Sequence, residues 1–251
     1  MTAILSIAFL GGLATGSFVS VVAHRVPRGE SVVAPRSRCP GCGTPIAAYD
    51  NVPVFSWLLL RGRARCCDAP ISVHYPLAEL GLGALYAATV LVLWDEPAEI
   101  ALGLVFVTTL VAVTVTDLEL RLIPNRILAV AAVLGLGIAA ATDPAGLPER
   151  AAAAAAAGGL LLAAALAYPR GMGLGDVKLA AVMGLFLGRN VAPAIVVALL
   201  AGSLVGLAVI ARHGAAARKL AIPFGPFLAL GGVVGLLAGD QLVNWYLSTF
   251  S

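Results

Sequence analysis

Long apolar runs set the rhythm of this chain, and short polar breaks punctuate them. The runs cover 4–23, 76–93, 98–116, 127–141, 151–168, 177–187, 191–211 and 224–247. A helix needs about 20 apolar residues to cross a hydrocarbon core roughly 30 Å thick. The pattern therefore predicts an all-α polytopic membrane protein with about eight transmembrane helices. Run 177–187 is short for a crossing, and Gly188-Arg189-Asn190 reads as a tight turn between two spans or as the tip of one re-entrant element. Between the first two runs lies a polar, irregular segment. The predicted organisation is a first helix over 1–23, a small cysteine-containing domain over 24–75 and a membrane domain over 76–251.

Composition agrees with this pattern. Of the 251 residues, 60% are hydrophobic and 12% charged, whereas a soluble domain carries about 45–50% apolar and about 25% charged residues. Residues 1–23 contain no Lys or Arg, so the first run lacks the positive start of a secretory signal and reads as a retained span. The net charge of +3 is small, and without a basic tract interleaved with aromatics a nucleic-acid partner is not expected.

The distribution of positive charge sets an expected orientation. With 24–75 in the cytoplasm, alternate loops place Arg121, Arg126, Arg170, Lys178, Arg212, Arg218 and Lys219 on the same side. Only Arg150 and Arg189 fall outside, so 14 of the 16 basic residues agree. Both termini are then extracytoplasmic. Trp57, Trp94 and Trp245 fit the interfacial aromatic belts, and Arg61, Arg63 and Arg65 read as lipid headgroup anchors.

All four cysteines fall in the polar segment. Cys39-Pro40-Gly41-Cys42 has zinc-knuckle spacing, and two such pairs bind zinc through four thiolates. A reducing cytoplasm favours metal over disulfides. The second pair, however, is Cys66-Cys67, without the two-residue spacer. Cys66, Asp68 and His74 are all candidates for the fourth ligand beside Cys39, Cys42 and Cys67, and plain free thiols are the other reading.

Two acids stand at the edges of apolar runs, where an unpaired charge is costly. Asp117 ends the third run and is followed by Leu122-Ile123-Pro124-Asn125, with Pro124 suited to the opening of the next helix. Asp176 closes Gly173-Leu174-Gly175-Asp176, whose glycines let the backbone approach another chain closely. Two carboxyls brought together can divide base and acid roles in peptide hydrolysis, with no metal. The competing reading is that both acids cap helices or pair with Arg121 and Lys178. Glu79, just inside the second run, reads equally as functional or as the partner of a loop arginine, and Lys178 as a headgroup anchor or a modulator of Asp176.

Together these motifs resemble the type IV prepilin leader peptidases, the bacterial GxGD-type intramembrane aspartic proteases. The resemblance runs from Gly16-Ser17-Phe18, with Arg25 and Pro27, through the Cys39–Cys42 knuckle, Asn51-Val52-Pro53 and Ser56-Trp57-Leu58. It continues through Arg61-Gly62-Arg63, Ile71-Ser72, and Tyr75-Pro76-Leu77-Ala78-Glu79. Asp117 with Ile123-Pro124, then Gly173–Lys178, match the two catalytic motifs, and Ile222-Pro223-Phe224-Gly225-Pro226-Phe227 the last block. The resemblance implies cleavage of prepilins and pseudopilins after a basic leader ending in glycine, ahead of an apolar helix. It also implies N-methylation of the new N-terminal residue, commonly phenylalanine, from S-adenosylmethionine. Two departures stand out: Ser20 replaces the usual Asn, and Ala64 stands where the third cysteine is expected, with Cys67 in the place of the fourth. Outside the resemblance, a secondary transporter and a non-catalytic assembly protein are the rival classes.

Overall fold

A computed structural model describes residues 1–39, 41–168, 171–214 and 222–250; of Phe250 it describes the backbone alone. Pro40, Arg170, Arg218 and Lys219, which figure in the sequence reading, lie outside the described residues. Every apolar run becomes a helix, and no strand occurs among the described residues. Counted by length and hydropathy, they give seven candidate crossings. Helix α7 (Leu174–Leu187) and helix α8 (Val191–His213) join into one of these because only a single 3-10 turn, Gly188–Asn190, separates them. On its own, α7 (Leu174–Leu187) has 14 residues, which is about 21 Å at 1.5 Å per residue and shorter than the bilayer core. The chain is a multi-pass membrane protein.

The chain divides into two compact units, Met1–Asp95 and Glu96–Ser251. In the first, α1 (Thr2–Arg25) packs along α3 (His74–Val92), and the short α2 (Phe55–Leu59) lies in the polar segment between them. The buried face of α1 is Gly12, Gly16, Val19, Ser20 and Ala23, a stripe of mostly small residues at helical spacing. Such a stripe lets two backbones come together in a membrane, where apolar burial alone drives no association. A Cβ on Gly12 would lie 2.7 Å from the Gly83 Cα, and one on Gly16 would lie 2.7 Å from the Glu79 Cα. This contact carries Glu79, only 7% exposed, against α1.

The second unit holds α4 (Pro97–Leu120), α5 (Asn125–Thr142), α6 (Leu147–Ala167), α7, α8 (Val191–His213) and α9 (Gly225–Phe250). Its core includes Phe106, Leu110, Leu179, Met183 and Leu228, with Phe106 stacked on Phe186 at 5.1 Å between ring centres. Because α7 is short, its C-terminal carbonyls need partners within the protein. Arg150, from the first turn of α6, supplies them: its Nη1 donates to the Phe186 carbonyl at 2.7 Å, while its Nη2 pairs with Glu99.

Candidate functional site

Two groups of residues singled out from the sequence come together locally, one in each unit. In the second unit the first group centres on Asp117. The carboxylate sits in the last turn of α4 and is 6% exposed. Arg121 ends the helix in the left-handed conformation, φ 52° and ψ 41°, and its N–H donates to the Asp117 carbonyl at 2.9 Å. The chain then extends through buried Ile123 and Pro124. Pro124 stands one place earlier than its suitability for a first helical residue suggested. It is the extended N-cap of α5, with φ −69° and ψ 124°.

Helix α7 begins against that extended segment. A Cβ on Gly175 would come within 3.0 Å of the Ile123 Cβ, so the helix start is seated where a larger residue meets a buried side chain. The next residue, half-buried Asp176, folds back on its own helix start. Its Oδ2 accepts from the Gly173 N–H at 3.3 Å, while its N–H donates to the Gly173 carbonyl at 3.2 Å. The capping role expected as the bland reading is therefore real for Asp176, and it fixes where the carboxylate stands. Asp117 is close enough for its charge to act on Asp176. Lys178 turns to α5 and donates to the Asn125 Oδ1 at 3.0 Å; no ion pair joins it to Asp176 among the described residues.

Sequence reasoning left one functional candidate without a role. The Gly225 N–H, at the start of α9, donates to the Asp117 Oδ2 at 2.8 Å across 108 positions of chain. The first N–H groups of a helix have no intrahelical acceptor and favour a carboxylate. A Cβ on Gly225 would stand 2.7 Å from the same oxygen. The signal in the sequence was the glycine in Pro223-Phe224-Gly225-Pro226, but nothing local says which acid its amide meets.

In the first unit the four cysteine sulfurs gather, with all ligand atoms within 4.8 Å of one another. Cys39 and Cys67 are 3.5 Å apart, Cys42 and Cys66 3.2 Å, and Cys66 and Cys67 3.9 Å. A tetrahedral ion with Zn–S bonds of about 2.3 Å has S···S edges of about 3.8 Å, so the donor set fits a thiolate-bound metal. The Cys39 thiol is held below its usual value chiefly by the backbone N–H of Cys42. Cys42 is held down to about 6, first by the Thr44 hydroxyl. Cys66 is pushed up to about 12, first by the neighbouring Cys42. Asp68 is not the fourth ligand: its carboxylate is engaged by Arg63. Nor does His74 enter the cluster. Arg65 forks onto Asp50, with N–O distances of 2.8, 3.0 and 3.1 Å, so two of the three arginines, Arg63 and Arg65, pair with acids of the same domain.

Both adjacent cysteines reach one centre because the two cysteine turns are copies of one turn, offset by 25 positions (63 − 38). Cys39 N–H donates to the Thr44 carbonyl at 2.9 Å, and Ala64 N–H to the Ala69 carbonyl at 2.8 Å. The next pair, Gly43 to Cys39 and Asp68 to Ala64, are both 2.8 Å. Gly43 and Asp68 occupy the same left-handed corner, at φ 73° and 58°. In this register Cys67 matches Cys42 and Ala64 matches Cys39. Cys66 matches Gly41, a position beside the sulfurs: a Cβ there would lie 3.3 Å from the Cys67 Sγ. The repeat Arg38…Pro45-Ile46 and Arg63…Pro70-Ile71 was present in the sequence as its signal.

Glu79 belongs to the first unit. Its Oε2 accepts from the Val54 N–H at 2.7 Å, with the Ser17 hydroxyl beside it. It has no arginine partner among the described ion pairs.

The model of the bacterial peptidase A24 N-terminal domain matches residues 10–93, and that of the type IV leader peptidase family matches residues 104–211. The chain is 36% identical over 276 residues to a prepilin leader peptidase/N-methyltransferase of Aeromonas hydrophila, covering 98% of this chain and 94% of the relative. A Bacillus subtilis protein of the same name is 36% identical over 249 residues, covering 97% and 98%. One from Myxococcus xanthus is 37% identical over 219 residues, covering 84% and 64%. No solved structure matches the chain. With near-complete coverage at this identity, and the paired acids and cysteine turns falling inside the matched residues, the chain belongs to the type IV leader peptidase family.

Proposed function

We propose that the protein is a membrane aspartic endopeptidase that removes the basic leader of prepilins and pseudopilins at the cytoplasmic membrane face. In this reading it also N-methylates the new N-terminal residue. The observation that carries the reading is the convergence of Asp117 and Asp176 from two helices, with Asp117 buried and held by the Gly225 amide. One carboxylate takes a proton from water as the oxygen attacks the scissile carbonyl carbon. The other gives its proton to the amide nitrogen as the C–N bond breaks. No metal takes part. Gly173 and Gly175 keep the approach to Asp176 narrow, which suits a glycine before the scissile bond. Pro124 fixes the segment under α7, and Lys178 ties α7 to α5.

The peptidase domain is taken as 76–251, the cysteine domain as 24–75 and the first helix as 1–23, with both termini outside and loops 24–75 and 121–126 inside. Cys39, Cys42, Cys66 and Cys67 would hold a structural zinc ion that ties the two cysteine turns together. S-adenosylmethionine would supply the methyl group for the second activity, and Glu79 would serve that half of the protein. A transporter is disfavoured by the three relatives described above, which carry peptidase names. The test is prepilin processing by Asp117→Asn and Asp176→Asn, each reconstituted separately. Loss of cleavage in both, with unchanged folding, is expected; intact processing in either removes the paired-acid reading.

A further inference from the structure

The first unit holds a half-open cavity of about 730 Å³ between α1, α3 and the cysteine segment, within the size range of small-molecule sites. Glu79 lines it. A buried carboxylate with no cationic partner is costly, and two of the three arginines that line the cavity are engaged elsewhere. Arg25 donates to the Ser31 and Pro35 carbonyls, and Arg65 is taken by Asp50. Arg38, which also lines the cavity, joins none of the ion pairs among the described residues.

The backbone facing Glu79 is strained. Val54 has φ 61° and ψ −50°, and the Phe55 N–H closes onto the Pro53 carbonyl at 2.5 Å. This is the positive-φ γ-turn, rare for any residue and worse for a β-branched one. It aims the Val54 N–H at the Glu79 Oε2. Strain of this kind collects at ligand sites, where the surroundings over-determine it. The remaining wall includes Tyr49, Trp57 and Tyr75. With Asp50 and Arg65 paired to each other, the cavity offers the Glu79 carboxylate, the Arg38 guanidinium and aromatic surface, which is the complement of a zwitterion carrying a flat base.

We propose that this cavity binds an S-adenosyl methyl donor, with Glu79 as the counter-ion of the sulfonium and Arg38 facing the amino-acid carboxylate. The proposal rests on the methyltransferase half of the proposed function and is independent of the two aspartates. Its test needs no turnover. The full-length protein in lipid nanodiscs is titrated by calorimetry with S-adenosylmethionine, with sinefungin (an amine cation replacing the sulfonium) and with S-adenosylhomocysteine (uncharged at sulfur).

Wild type is expected to bind both cationic ligands roughly tenfold or more tighter than the neutral one, a single charge contact being worth about that much. Glu79→Gln is expected to erase this preference while leaving S-adenosylhomocysteine affinity within about twofold, since that ligand makes no charge contact with Glu79. Arg38→Gln is expected to weaken all three alike, because all carry the carboxylate. Equal affinities in wild type overturn the proposal, as does a uniform loss in Glu79→Gln. Competition by a short peptide with an N-terminal phenylalanine amine and no nucleoside also overturns it, by showing that the acceptor occupies the acidic end. If Glu79→Gln does not fold, the charge preference of wild type still decides. Leader cleavage by wild type without nucleoside is measured alongside, so that a protein that cleaves but binds no donor sinks this inference alone.

Discussion

Replacing Gly225 with alanine perturbs the active site through one atom. The new Cβ would stand 2.7 Å from the Asp117 Oδ2 and 3.1 Å from its Cγ. Ordinary contact between such atoms begins near 3.4 Å, so the carboxylate or the start of α9 must yield by about 0.7 Å, which a close-packed interior resists. The same shift stretches the 2.8 Å hydrogen bond from the Gly225 amide. A hydrogen bond to a charged group contributes about 1.5–3 kcal/mol. If most of that stabilisation is needed to hold Asp117 for catalysis, the rate falls by about 10- to 150-fold. The assay is cleavage of a full-length prepilin in detergent or vesicles, with kcat and KM resolved, beside a thermal unfolding curve. The expected result is a fall in kcat with KM nearly unchanged and an unfolding midpoint lowered by no more than the loss of one such hydrogen bond, since the new Cβ meets the Asp117 carboxylate. A Gly225→Ala protein that cleaves within about threefold of wild type would refute the positioning role, because the smallest effect argued here is about tenfold.

Four further outcomes follow from the cysteine cluster and the end of α7. Cys66→Ala should lower the metal content of the purified protein, and adding Ala64→Cys should restore it, because position 64 is the counterpart of Cys39 in the repeated turn; metal analysis of the single and double variants checks this. Metal uptake at neutral pH should release protons, since Cys66 is held up to about 12 and must give up its proton to bind. Uptake should also weaken as the pH falls through about 6, where Cys42 becomes protonated and competes with the ion; calorimetry in buffers of different ionisation enthalpy reads both. Arg150→Met should destabilise the second unit by about 1–3 kcal/mol, because it leaves the last carbonyls of α7 unsatisfied, and a lowered thermal midpoint in the same lipid is the check.

Much of the architecture was legible because in a membrane the constraint is local: each crossing must satisfy its own backbone, so length and polarity of each run announce a helix. The eight runs are helices for that reason. The shortness of α7 was visible too, but not its remedy. Arg150 sits 36 residues from the carbonyl it satisfies, and only packing brings them together. The two aspartates stood out because charge at the edge of an apolar run is rare, whereas Gly225 did not, because an amide has no residue-specific signature. Cys66 was a candidate without a geometry until the turn repeat placed it at the position of Gly41. The strained turn at Val54 was invisible for the opposite reason: valine is the residue least expected there. Where the fold keeps a backbone conformation that local preference disfavours, as at Val54 beside Glu79, sequence preference misleads.

The account rests on two carboxyls acting on one scissile amide, and a stable mimic of that amide's tetrahedral state tests this most directly. A leader-peptide analogue with a hydroxyethylene group in place of the Gly–Phe bond places its hydroxyl between the two acids. Wild type should bind it tightly, and Asp117→Asn and Asp176→Asn should each weaken it by roughly 100-fold while still binding the uncleaved leader helix, as expected when a charged hydrogen-bond partner is lost from the site. Undiminished binding of the analogue by either variant would contradict the claim.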